Sequence, residues 1–280
     1  MKPAVADLLK VLQLERLEIN LFRGVSRDIL GTPRVFGGQV LGQALSAASA
    51  TVDAERAVHS LHSYFLLPGD VTAPIIYEVD RSRDGGSFSS RRVVAIQHGQ
   101  QIFHMSASFQ AEQPGLNHQL PMPSVSAPET LPDLFGSMNA ANANWRSTVP
   151  LPIEFRAADA EPDPTRAAES TSQFWFRTVD KLPDEAMLHR SVLAYASDFH
   201  LLYAAAKPHG IAYADDKVRM ATIDHAMWFH RPLRVDDWLL YCVNSPSASN
   251  SRGLAQGSVF SRDGRLVASV AQEGMVRVKS

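Results

Sequence analysis

A chain of 280 residues that is 45% hydrophobic can bury one large core or two smaller ones. Its 27 Lys and Arg against 29 Asp and Glu leave a net charge of −2, which excludes the basic footprint of a nucleic-acid binder. A single cysteine, Cys242, excludes an intramolecular disulfide and a cysteine-built zinc site.

The opening MKPAVADLLKVLQLERLEI is amphipathic, with charges at Asp7, Lys10, Glu15 and Arg16. It holds no uninterrupted apolar run of the kind a signal peptide or membrane span needs. The chain does not end in the peroxisomal Ser-Lys-Leu. The expected location is the cytoplasm, with no membrane partner. Ala6–Leu17 predicts a helix with Leu8, Leu9 and Leu12 on one side, Leu17–Phe22 a short strand, and Gly31-Thr32-Pro33 a turn. FGGQVLGQAL, residues 36–45, predicts a second helix whose small residues permit close packing. Gly37 and Gly38 at its start have two readings. One is backbone freedom for a helix start. The other is N–H groups at a helix N-terminus facing a developing negative charge.

Four strands are expected at His59–Leu67, Ile75–Asp80, Phe88–Gln97 and Gln101–Gln110, with turns at residues 83–87 and 98–100. A helix followed by strands without intervening helices is an α+β pattern. Residues 113–164 hold nine of the 17 prolines and are too long for an ordinary loop. They read as a linker over the surface between two domains, 1–112 and 165–280, with strands at Ile153–Arg156 and Gln173–Val179. Asp184–Ala206 predicts the next long helix, its apolar face being Leu188, Val192, Tyr195, Phe199 and Leu202. Strands return at Met220–His230, Asp237–Asn244, Gly253–Ser261 and Arg265–Val276.

The two halves repeat. Tyr64–Pro68 falls on Trp228–Pro232, Tyr77 on Tyr241, Gly99 near Gly264, and Ile102-Phe103 near Leu266-Val267, at an offset of 164 or 165 throughout. Order and spacing therefore show an internal duplication, and two similar units packed together are expected.

Several chemistries are missing. There is no Gly-x-Ser-x-Gly elbow, phosphate loop or dinucleotide fingerprint. His59 and His62, and likewise His225 and His230, sit at odd spacings on expected strands and point to opposite faces, so no metal site is expected. Three polar residues stand out against apolar surroundings. Asp198 borders the apolar helix face. There it is a cap or surface ion-pair partner, or a partly desolvated carboxylate with a shifted pKa. Thr222 lies in ATIDH and is either a good strand former or functional. Gln272 ends the face made by Leu266, Ala268 and Val270, and sits at a sheet rim or pairs inside.

FGGQVLGQAL, HSLHSYFLLPGD, DRSRDGGSFSSRRVVAIQHGQQIF, SDFHLL, ATIDHAMWFHRP, WLLY and VAQEGMVR together resemble the acyl-CoA thioesterase II family, over nearly the whole chain and least across the linker. The resemblance implies an α+β double hotdog, two tandem repeats each with an antiparallel sheet wrapped around a long helix. It implies hydrolysis of fatty acyl-CoA without metal or dissociable cofactor, and a homo-oligomer, dimer or tetramer, built by sheet and surface packing. The family's catalytic Asp, Thr and Gln match Asp198 of SDF, Thr222 of ATIDH and Gln272 of QEG. Direct attack by water is expected, with the oxyanion held in the Gly37, Gly38, Gln39 segment. Arg81, Arg83, Arg91 and Arg92 are candidates for the CoA phosphates by composition only, solvated surface charge being the other account. Two rivals stand. One is an acyl-CoA hydratase or dehydratase, for which His200 is near Asp198 but expected on another helix face. The other is a non-catalytic acyl-CoA-binding protein.

Overall fold

The computed structural model describes residues 1–28, 31, 33–134, 150–158, 170–211 and 217–279. Thr32 of the expected turn and residues 135–149 and 159–164 of the expected linker lie outside them. The first helix, α1 (Pro3–Leu12), starts on a proline and buries Val5, Leu8, Val11 and Leu12. It stops earlier than the expected Leu17. The chain instead forms a hairpin, β1 (Glu15–Glu18) and β2 (Leu21–Gly24), held across the strands by the Arg23–Glu15 ion pair. The leucine spacing misleads here because Leu17 and Ile19 are exposed and belong to no helix face.

The rest of the first half is α2 (Gly37–Ser49), β3 (Arg56–Phe65), β4 (Ile75–Asp84), β5 (Phe88–Gln97) and β6 (Gln100–Ala111). The segment from 113 to 134 packs Met122, Val125 and Leu131 against Trp175, Trp238 and Phe260, and the Trp175 indole donates to the Ser126 carbonyl. Then follow β7 (Ile153–Ala157), β8 (Thr171–Thr178), α3 (Ala186–Ser197), β9 (Val218–Thr222), β10 (Asp224–Phe229), β11 (Leu239–Ser249), β12 (Arg252–Ser261) and β13 (Leu266–Val278). β7 arises inside the proline-rich stretch and adds to the edge of β8.

Among the described residues, 13 strands make one antiparallel sheet in the order β1-β2-β4-β5-β6-β3-β10-β13-β12-β11-β8-β7, with β9 paired to β13. The halves meet where β3 pairs with β10, and His62 lies opposite Ala226. Those two positions are related by the repeat offset of 164. The repeats therefore join about a local two-fold axis, and equivalent strands zip together at the centre. This is the double hotdog architecture: each half-sheet curls around its own helix.

Inside, α2 and α3 pack side by side. Gly38 faces the Tyr195 carbonyl, where an added Cβ would come to 2.3 Å. One and two turns on, Gly42 approaches the Ser191 carbonyl and the Ser46 hydroxyl lies 3.2 Å from that of Ser191. Small residues four apart let the two backbones approach. One apolar core runs through both halves, from Leu41 and Leu45 to Val192 and Leu193.

The expected helix over Asp184–Ala206 ends at Ser197. His200 takes φ 61°, and the chain resumes as 3-10 turns at Leu202–Ala205 and Lys207–His209. Phe199 and Leu202 stay buried, so the apolar spacing survives although the α-helix does not. The expected strand Met220–His230 is likewise two strands, because the chain steps at Ile223. β9 pairs β13, whereas β10 pairs both β13 and β3.

Candidate active site

A cleft of about 430 Å³ opens between the halves. Phe36, Gly37, Val40, Phe65 and Phe103 line it from the first half, and Asp198, His200, Leu202, Thr222 and Gln272 from the second. Asp198 is the residue that caps α3, and the break that follows turns it toward the start of α2. The Gly38 N–H donates to its carboxylate. Gly37 leaves room for the same group, since a Cβ there would lie 2.7 Å from Oδ2.

Thr222 Oγ1 and Gln272 Nε2 each donate to Asp198 Oδ1 at 3.2 Å. Gln272 Nε2 also donates to Thr222 Oγ1 at 2.5 Å, so both of its amide protons are used. The three residues come from the end of α3, the end of β9 and the interior of β13. Burial raises the Asp198 pKa above the ordinary carboxylate range, opposed by hydrogen bonds from Thr222, Gly38 and Gln272. The result is a carboxylate that gains a proton more readily than one in water.

Of the other expected site residues, the Gln39 N–H goes to the Phe36 carbonyl at 3.0 Å and its side chain to Val25. None of Arg81, Arg83, Arg91 and Arg92 lines the cleft. Arg81 binds Asn20. Arg91 is 2% exposed, which rules out a solvated surface charge. Its guanidinium is spent on both oxygens of Thr51, the carbonyls of Arg83 and Ser90, and Asp84, tying β5 to the end of α2. The arginine that does line the cleft is Arg34, just ahead of the α2 start, where no spacing in the sequence singled it out.

Two histidines lie where the sequence pattern does not put them. His200 was expected on a different helix face from Asp198, but the helix has already ended and both line the cleft. Burial pushes its pKa down to about 3, and its ring packs edge-on to Phe155 and Phe174. The spacing of His225 from His230 speaks only to a metal site. His225 is fully buried beneath Gln272, with Nδ1 3.3 Å from Oε1. Its alternation with buried Met227 and Phe229 was the available signal.

Residues 158–275 match the acyl-CoA thioesterase family model, and residues 27–110 match the acyl-CoA thioesterase N-terminal domain. Acyl-CoA thioesterase 2 of Haemophilus influenzae is 40% identical over 288 residues, covering 99% of both chains. The chain belongs to the acyl-CoA thioesterase II family. The crystal structure of acyl-CoA thioesterase II TesB2 from Mycobacterium marinum superposes on this thioesterase with a TM-score of 0.82 at 43% identity, covering 98% of this chain and 99% of the other. A hot dog protein of unknown function from Alicyclobacillus acidocaldarius reaches a TM-score of 0.79 at 18% identity over 98% and 99% of the two chains, which shows the fold alone.

Proposed function

We propose that this thioesterase hydrolyses fatty acyl-CoA to free fatty acid and CoA by direct attack of water on the thioester carbonyl. The observation that carries the reading is the convergence of Thr222 and Gln272 on one oxygen of Asp198, at the floor of an apolar cleft. Asp198 accepts the proton of the attacking water. Thr222 and Gln272 hold the carboxylate in register for the water, a contribution of orientation. The raised pKa of Asp198 suits a base better than that of a solvated carboxylate.

Among Gly37, Gly38 and Gln39, the amide best placed for the oxyanion is that of Gly37. It lines the cleft at the α2 N-terminus, while the Gly38 N–H goes to Asp198 and the Gln39 N–H to Phe36. The leaving thiol, with a pKa of about 8.5 if like a free cysteine, departs without a strong acid. Phe36, Val40, Phe65 and Phe103 supply an apolar wall for an acyl chain. The reading includes a homo-oligomer, supported by Tyr64 and Trp228 standing exposed on the outer sheet face; sedimentation measures it. A hydratase needs a histidine that gives and takes a proton, and a His200 held neutral down to about pH 3 is poorly suited.

The test is thiol release from a panel of acyl-CoAs, short to long, beside hydration of an enoyl-CoA. Asp198→Asn is expected to lower kcat by about 100-fold or more, the range for removing a general base. Near-normal turnover by that variant, or hydration without thiol release, would overturn the reading.

A further inference from the structure

We infer that His225 and Ser197 are positioning residues: a buried Ser197–His225–Gln272 relay aims the Gln272 amide at Asp198 and Thr222. This deepens the hydrolytic reading above and rests on it.

The proton positions follow from the contacts. Gln272 turns its NH2 group toward two acceptors, Asp198 Oδ1 and Thr222 Oγ1. Its Oε1 is thereby left facing His225 Nδ1 at 3.3 Å. Two lone pairs facing each other would repel, so Nδ1 carries the proton and donates it to Oε1. Burial pushes the His225 pKa down to about 4, so the ring is neutral at pH 7 and holds one proton. Nε2 is then an acceptor, and Ser197 Oγ lies 2.9 Å from it. The hydroxyl is also 2.9 Å from the Ala194 carbonyl. Only by giving its proton to Nε2 does it satisfy the imidazole. Ser197 is the last residue of α3 and immediately precedes Asp198, so one helix end carries both the base and the start of the relay.

The Asp198 carboxylate and Thr222 already favour the NH2 end of Gln272. The Nδ1–H of His225 holds the other end, so without the relay the amide oxygen has no donor and the side chain is fixed at one end only. All three relay residues are buried, His225 and Ser197 at 0% and Gln272 at 1% exposed, so water cannot substitute for the partners.

The experiment is steady-state kinetics on acyl-CoA for His225→Leu, His225→Asn and Ser197→Ala, each alone and in the Gln272→Ala background, with thermal melts of every variant. His225→Leu is expected to lower kcat about 10–100-fold with KM little changed, the size seen when a group that orients a reacting ligand is removed. His225→Asn, which keeps an N–H near the Nδ1 place, should recover most of that loss. In the Gln272→Ala background the His225 changes should cost nothing further in kcat. Two-bond 1H–15N spectra of the wild-type enzyme should show His225 as the Nδ1–H tautomer, which Ser197→Ala converts to a mixture. Wild-type kcat in folded His225→Leu, an undiminished loss in the Gln272→Ala background, or an Nε2–H tautomer overturns the relay. The tautomer measurement decides even where a variant does not fold. Full kcat in Gln272→Ala would instead remove the hydrolytic role of Gln272 itself, and the relay with it.

Discussion

Asp198 carries a conflict that experiments can read. Burial favours its neutral form, while three donors favour the anion, and burial prevails. Its folded pKa therefore lies above the ordinary 3.8. Catalysis by the anion should fall as pH drops through that raised value. The acid limb of kcat/KM is expected above pH 3.8, and a limb at or below the solvated value would contradict the general-base role. Stability has the opposite dependence. A raised folded pKa contributes stability that is fully present below 3.8 and lost as pH rises through the folded value. At neutral pH the ionised group costs stability, so Asp198→Asn should raise Tm at pH 7, with the gain shrinking toward pH 4. Melting curves at the two pH values check this. The three polar residues were legible in the sequence because each breaks an apolar pattern. Their meeting at one oxygen was not, since 24 residues separate Asp198 from Thr222 and 50 separate Thr222 from Gln272.

At the scale of elements, the site depends on how closely α2 and α3 approach. Gly38 is the closest point, and a methyl there meets the Tyr195 carbonyl at 2.3 Å. Gly38→Ala is expected to cost about 1–3 kcal/mol by overpacking. It should also lower kcat, because parting the helices withdraws the Gly38 N–H from Asp198. Denaturant titration beside kinetics measures both, and a stable, fully active variant would show that the seam can relax. Arg91 provides the contrasting case. Its side chain ties β5 to the end of α2, away from the cleft. Arg91→Met should cost about 3 kcal/mol, because Thr51, Ser90 and Arg83 lose their donor. The KM for acyl-CoA in the folded fraction should not move. A raised KM with unchanged stability would return Arg91 to the CoA site. The glycines at the α2 start were readable as helix freedom or as donors to a developing charge; Gly38 makes room for the Tyr195 carbonyl and gives its N–H to Asp198. The end of α3 was not readable, because apolar spacing persists through the 3-10 turns that follow it.

Over the whole molecule, the duplication produces two tandem hotdog units that share one sheet. β3 and β10 pair at the repeat axis, and the core is shared. The site straddles that join, with Asp198, Thr222 and Gln272 in one half and Gly37 and Gly38 in the other. Residues 1–112 or 165–280 expressed alone are expected to show no thiol release, whereas the mixed halves recover some. Activity in the second half alone would show that Gly38 is dispensable. No helix among the described residues is long and apolar enough to cross a membrane.

The chain's local patterns determined most of the elements, the repeat and the three polar residues, since periodicity and offset are properties of neighbouring positions. Only the tertiary structure decided which side chains share the cleft. It moved Arg91 into a structural knot, brought His200 beside Asp198, and set His225 beneath Gln272. The physical reason is that a contact between strands far apart in sequence leaves no trace in either strand's spacing. The helix ends at Ser197 and the left-handed His200 follows two residues past Asp198, a break that no apolar spacing announces.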